Sequence, residues 1–114
     1  EALLRGDAEP PYWAYLWSGA RVLAAYLARW IDLSGRRVLE IGCGLGLPGI
    51  TAAALGAVTT VVDTEPLALE FVAASAAAAS PHARAASGSV SSSSPSMSKI
   101  TAAGRRTGRG EFIR

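Results

Sequence analysis

Apolar residues recur along the first two-thirds of the chain in two rhythms, one helical and one of short unbroken runs. From Ser18 they fall at Val22, Leu23, Tyr26, Leu27 and Trp30, the three-and-four spacing of a helix stripe, with Arg21 and Arg29 on other faces. Ser18 is placed to cap this helix, Leu33-Ser34-Gly35 ends it, and its stripe predicts packing beside the strand that follows. That strand is Val38–Ile41. Next comes Gly42-Cys43-Gly44-Leu45-Gly46-Leu47-Pro48-Gly49, with glycine at alternate positions and a proline suited to the first turn of a helix over Leu47–Leu55. The positive end of that helix is expected to face whatever the loop holds. Gly56 closes the helix. The run Ala57–Val62 is short and β-branched, as a buried parallel strand requires, and it ends at Asp63. Thr64 can cap a further helix with Glu65 and Pro66 in its first turn and Leu67, Phe71 and Ala74 on its buried face. Strand, glycine loop, helix, strand is the opening of a doubly wound, Rossmann-like α/β fold.

Two stretches lie outside this pattern. Tyr12-Trp13-Ala14-Tyr15-Leu16-Trp17 concentrates aromatic side chains just before the first helix; it reads equally as a lid on the core and as the lining of an adenosine or substrate pocket. Residues 80–98 hold nine serines in nineteen positions, and an Arg/Gly-rich end follows. Such a segment buries too little apolar area to offset the entropy of ordering it. The expected organisation is a polar N-terminus over 1–10, a folded unit over 11–79, and a low-complexity, disordered tail over 80–114.

Composition narrows the function. The 114 residues allow one small domain, and the net charge of +2 divides into −3 over residues 1–70 and +5 over 71–114. Basic charge confined to a tail with Phe112 as its sole aromatic after Phe71 is not a nucleic-acid footprint. No apolar run is long enough to span a membrane, and the N-terminal residues lack the basic start and apolar core of a secretory signal. With a single cysteine, Cys43, the expectation is a cytoplasmic protein with no disulfide and no metal site. His82 stands alone in the tail, Cys43 has no base near it in sequence, and Glu65 and Glu70 read as solvated helix positions. Arg105, Arg106 and Arg109 read as a solvated end.

The chemistry lies in the glycine loop together with Asp63, 21 residues after Gly42. A βαβ unit sets that carboxylate at the end of the second strand, where it can accept hydrogen bonds from both ribose hydroxyls of an adenosine. Two registers are present. Gly44-x-Gly46-x-x-Gly49 spells a dinucleotide fingerprint, and Glu40-x-Gly42-x-Gly44-x-Gly46 spells that of S-adenosylmethionine. A pyrophosphate wants amides and a helix N-terminus without a carboxylate beside them. Glu40 stands there, and a carboxylate attracts the sulfonium and ammonium of S-adenosylmethionine instead.

Leu16-Trp17-Ser18-Gly19-Ala20, the helix to Trp30, the run from Leu33 through the glycine loop to Ile50, then Val62-Asp63 and Leu67–Phe71 together resemble the N-terminal half of the seven-β-strand lysine methyltransferase-like group, which includes bacterial relatives labelled nicotinamide N-methylases. The resemblance covers about Pro11 to Ala78. It implies an S-adenosylmethionine-dependent transfer of methyl to nitrogen, on a protein lysine or a small amine. Carried over by position, it implies that Trp17 packs against the cofactor, that Gly42, Cys43 and Gly44 meet its methionine part, that Asp63 holds the ribose and that Glu40 supports the loop. Gly46 and Thr64 complete the expected cofactor set, and no catalytic residue is assigned. Family members continue with a third strand, a contact to the adenine, and a fourth strand with an Asp-containing motif. Here the Ser/Ala tail stands in their place, and the expectation is a fold truncated after its second strand, with the tail a frameshifted or misannotated end. The alternatives are a NAD(P)- or FAD-binding oxidoreductase fragment and an inactive interaction fragment.

Overall fold

A computed structural model describes residues 8–79, 91–94 and 97–103. A 3-10 turn over Tyr12–Ala14 leads to α1 (Ser18–Trp30), β1 (Arg37–Ile41), α2 (Leu47–Ala54), β2 (Val58–Asp63) and α3 (Pro66–Ala79), followed by β3 (Ser91–Ser94) and β4 (Met97–Ala103). The order of elements over 18–79 is the one the hydrophobic pattern predicts.

β1 and β2 run parallel in the register Val38↔Thr59 and Glu40↔Val61. That pairing turns Val38, Glu40, Thr59, Val61 and Asp63 to one face. α2 and α3 pack on this face, and α1 lies against α2. The opposite face carries Leu39 and Ile41, both exposed. A doubly wound sheet has helices on both faces; among the described residues they occupy one.

Two small apolar clusters hold the layers together. Leu33, Ala52 and Ala57 meet beneath Leu27 and Val38, fixing α1 and α2 at the start of the sheet. Cys43, Val61, Leu69 and Val72 meet beneath Ile50 and Ala73, fixing α3 under the glycine loop. Small residues let the backbones approach closely, and Ala52, Ala57 and Ala68 are fully enclosed.

Several expectations need correction. α1 packs on α2 rather than beside β1, and it does so through Ala24 and Leu27. Val22, Leu23, Tyr26 and Trp30 of the predicted stripe remain exposed, and Leu27 is its one member that packs on the cluster beneath α2. Ser18 is the first helical residue and not the cap; Trp17 occupies the cap position in an extended conformation, and its carbonyl accepts the Ala20 and Arg21 N–H groups. α3 buries Ala68, Leu69 and Val72 and leaves Leu67 and Phe71 largely exposed. At about 3.6 residues per turn the predicted face was out by more than a third of a turn, because an alanine-rich helix has little amphipathic contrast. At its start the Glu65 carboxylate, rather than Thr64, accepts the Leu67 N–H.

The tail also differs. Of the residues expected to be disordered, 91–94 and 97–103 form strands; β4 pairs antiparallel with β2 and β3 antiparallel with β4, giving the sheet order β1-β2-β4-β3. The sheet therefore continues past its second strand. The open edge of β2 offers backbone donors and acceptors that any extended segment can satisfy, whatever its side chains. The rest of the tail, with His82 and the terminal arginines, lies outside the described residues, as do residues 1–7. Among the described residues, no helix is long and apolar enough to cross a membrane.

Candidate cofactor site

The site opens where β1 and β2 end together. Beyond Ile41 the pairing continues for one turn, as Gly42 and Cys43 both donate to the Val62 carbonyl at 2.8 and 3.2 Å. The chain then reverses, with the Gly46 N–H on the Cys43 carbonyl at 2.7 Å, and enters α2. Gly44 and Gly46 have φ of +50° and +71°, which L side chains rarely adopt. Space is short as well: a Cβ on Gly44 would come within 3.0 Å of the Trp13 carbonyl oxygen, and one on Gly46 within 2.5 Å of Val72 Cγ2. The loop is thus pressed between the aromatic segment above and α3 below.

Two carboxylates fix it. Asp63 Oδ2 accepts the Gly44 N–H at 2.8 Å, and its Oδ1 accepts the Glu65 N–H at 2.9 Å. Glu40 Oε2 accepts the Gly49 N–H at 2.8 Å. Gly49 has to be glycine, since a Cβ there would stand 2.5 Å from that oxygen and 2.7 Å from Val61 Cγ1. The positive end of α2, expected to face a ligand, therefore already holds a carboxylate of the chain.

Burial pushes the Glu40 carboxyl above its ordinary range; the Gly49 N–H opposes that shift and the Asp63 charge adds to it. Burial also pushes the Cys43 thiol up to about 12, with Asp63 and Glu40 contributing. Cys43 is accordingly a neutral, packed thiol.

Loop, strand ends and aromatic segment enclose a cavity of about 600 Å³, within the range of small-molecule sites. One wall comes from the segment 11–17, the other from the loop 42–48 and the residues 63–65. All eight residues expected to form the cofactor site, Trp17, Glu40, Gly42, Cys43, Gly44, Gly46, Asp63 and Thr64, lie on this one cavity. Residues given no individual role by the sequence complete it. Trp13 packs on Phe71 at 6.3 Å between ring centroids while its carbonyl covers Gly44. Glu65, read as solvated, lines the cavity. The density of aromatics was the available signal for Trp13; Glu65 had none beyond its place next to Asp63.

Among the described residues, the lining holds Glu40, Asp63 and Glu65 and no lysine, arginine or histidine. A pyrophosphate would meet the carboxylates of Glu40, Asp63 and Glu65 and a helix end already capped by Glu40. A cationic group fits, and so does an adenosine whose hydroxyls donate to the remaining lone pairs of Asp63.

Fold and site together define a Rossmann-like α/β unit built around a glycine loop. The chain belongs to the lysine methyltransferase family, which it matches over residues 11–93. It is 52% identical to the protein N-lysine methyltransferase METTL21A of Danio rerio over 62 residues, 54% of this chain and 28% of that protein. It is 45% identical to the electron transfer flavoprotein beta subunit lysine methyltransferase of Danio rerio over 60 residues, 51% of this chain and 23% of that one. With the histone-arginine methyltransferase METTL23 of Rattus norvegicus it shares 49% identity over 59 residues, 49% of this chain and 25% of that one. The chain thus spans about a quarter of the length of these curated relatives.

Proposed function

We propose that this chain is the cofactor-binding part of an S-adenosylmethionine-dependent N-methyltransferase acting on a protein lysine. The observation that carries the reading is the composition of the cavity: a glycine cradle lined by Glu40, Asp63 and Glu65, with no basic side chain among the described lining residues. Family membership and the names of two of the relatives, both lysine methyltransferases, support the choice of acceptor.

When bound, S-adenosylmethionine supplies an electrophilic methyl group on a positively charged sulfur. The residues of this chain have the task of binding and orientation. Asp63, held by two backbone N–H groups, presents its remaining lone pairs to a ribose. Gly42, Cys43 and Gly44, on the cavity wall, would contact the methionine part, and Glu40 would supply negative charge beneath the loop while anchoring it to α2. Trp17, with Thr64 on the far wall, flanks the space between. Methyl transfer to an amine depends mainly on collinear placement and exclusion of water, which a rigid loop and an aromatic wall favour.

Calorimetric titration with S-adenosylhomocysteine, with NAD in a parallel cell and an Asp63→Ala variant as control, tests this. The expected result is binding of S-adenosylhomocysteine alone, lost in the variant. Binding of NAD in preference, or of neither ligand by a chain with a folded circular dichroism spectrum, would overturn it.

A further inference from the structure

The aromatic segment divides its side chains unequally. Trp13 is half-buried against Phe71 and, through its carbonyl, sits on the glycine loop. It anchors the segment. The 3-10 turn, closed by the Ala14 N–H on the Pro11 carbonyl at 2.8 Å, sends its neighbours the other way. Tyr12 is 77% exposed, Trp17 48% and Tyr15 39%, yet the three rings touch: Trp17 lies 4.7 Å from Tyr12 and 5.7 Å from Tyr15 between centroids, tilted against each. All three border the cavity.

Core packing does not account for three contiguous rings left in water. Their position relative to charge does point to an occupant. Aromatic faces carry negative electrostatic potential and attract cations, and here they border a cavity whose charged side chains, among the described residues, are the carboxylates Glu40, Asp63 and Glu65. The combination favours a positive group on an apolar stem, since the stem can lie along the rings, and Leu16 beside them, while the charge faces the acids.

We propose that Tyr12 and Tyr15, on either side of Trp17, form the recognition site for the methyl acceptor, taken up as the ammonium end of a lysine-type side chain. This rests on the methyltransferase reading for its role in a reaction, but the binding site can be tested apart from it.

The test is a titration of the chain, with and without saturating S-adenosylhomocysteine, using the probe Nα-acetyl-lysine methylamide and its uncharged counterpart Nα-acetyl-norleucine methylamide, followed through the ring-proton NMR signals of Tyr12, Tyr15 and Trp17. The lysine probe is expected to shift these signals and to bind roughly two- to fivefold more tightly than the norleucine probe, the discrimination of an exposed cation–ring contact. The discrimination should vanish in Tyr12→Leu and Tyr15→Leu and survive in Tyr12→Phe and Tyr15→Phe, which keep the rings and guard against loss of fold. S-adenosylhomocysteine affinity should stay within twofold in all four. Equal binding of the two probes would overturn the proposal. So would a loss of S-adenosylhomocysteine affinity in the leucine variants, which would assign the rings to the cofactor. Discrimination between the probes by a chain that binds no S-adenosylhomocysteine would uphold the amine site and count against the methyltransferase reading alone.

Discussion

Asp63 Oδ2 accepts the Gly44 N–H at 2.8 Å, across the gap between the end of β2 and the loop that leaves β1. One carboxylate thereby ties together the ends of both parallel strands, because its other oxygen holds the Glu65 N–H at the entrance to α3. The contact is charge-assisted and joins residues far apart in sequence, so it fixes the loop in the conformation that its glycines permit without selecting. Asp63 is therefore a structural residue before any ligand arrives.

Replacing Asp63 by Asn tests that double role. The carboxamide keeps the shape but offers one acceptor oxygen and turns an NH2 toward a second N–H. A hydrogen bond to a charged group contributes about 1.5–3 kcal/mol, and the variant should lose about that much. Thermal denaturation followed by circular dichroism should show a fall in Tm of several degrees. S-adenosylhomocysteine affinity should fall at least tenfold. An unchanged Tm with lost affinity would mean that the carboxylate serves the ligand alone.

Much of this arrangement was legible in the sequence because it depends on local rules. The β-branched run at 58–62, the alternate glycines and Asp63 at a strand end each obey a backbone constraint, and they led to the observed elements and to residues that line one cavity. Faces were less legible. In α1 and α3 the buried residues are Ala24, Ala68, Leu69 and Val72 rather than Val22, Tyr26, Trp30, Leu67 and Phe71, since a helix rich in alanine gives spacing little contrast from which to choose a face. The contact of Gly46 with Val72 and that of Gly44 with Trp13 join segments remote in sequence, and no spacing rule finds them. β4 was missed because strand addition at an open edge is satisfied by backbone, and composition is blind to it.

Glu40 should make stability depend on pH in an identifiable direction. Burial chiefly, and the Asp63 charge secondarily, raise its carboxyl in the folded chain. Between the ordinary carboxylate value and that raised value, the folded state holds a proton the unfolded state has released. This contribution is therefore fully present below the ordinary value and is lost as pH rises through the raised one. Glu40→Gln, whose amide oxygen can still accept the Gly49 N–H, should flatten that part of the curve. Urea midpoints of both proteins at mildly acidic and neutral pH would show it. A cation entering the cavity draws the carboxyl back down, so binding of S-adenosylmethionine at mildly acidic pH should release protons from the parent chain and fewer from the variant. Calorimetry in two buffers of different ionisation enthalpy measures the difference.

Gly46 and Val72 should be energetically coupled. Gly46→Ala puts a Cβ within 2.5 Å of Val72 Cγ2 at a φ of +71°. The left-handed conformation alone costs about 1–2 kcal/mol, and the overlap adds to it. Val72→Ala removes the overlapping methyls while opening a cavity of its own in the cluster beneath the loop. The double variant should be less destabilised than the sum of the single ones by about 1 kcal/mol, as contacting residues are. A denaturation cycle that came out additive would show that α3 can move away from the loop without cost.

Thr59 offers the opposite case, a substitution expected to stabilise. It is 2% exposed, on the helix-bearing face of β2 opposite Val38, and its hydroxyl is buried without a hydrogen-bond partner among the described residues. A hydroxyl taken from water with nothing in exchange costs about 1–3 kcal/mol. Valine fills nearly the same space and suits a strand. Thr59→Val should therefore gain about 1 kcal/mol, a rise in Tm of roughly 4–8 °C for a chain of this size. Thr59 lies away from the cavity lining, so S-adenosylhomocysteine affinity should not change. The gain is diagnostic because β2 carries Asp63 at its end: stability and binding can be separated on one strand. A fall in Tm instead would show that the hydroxyl is satisfied in solution, with an ordered water at the α2 interface as the nearest physical source.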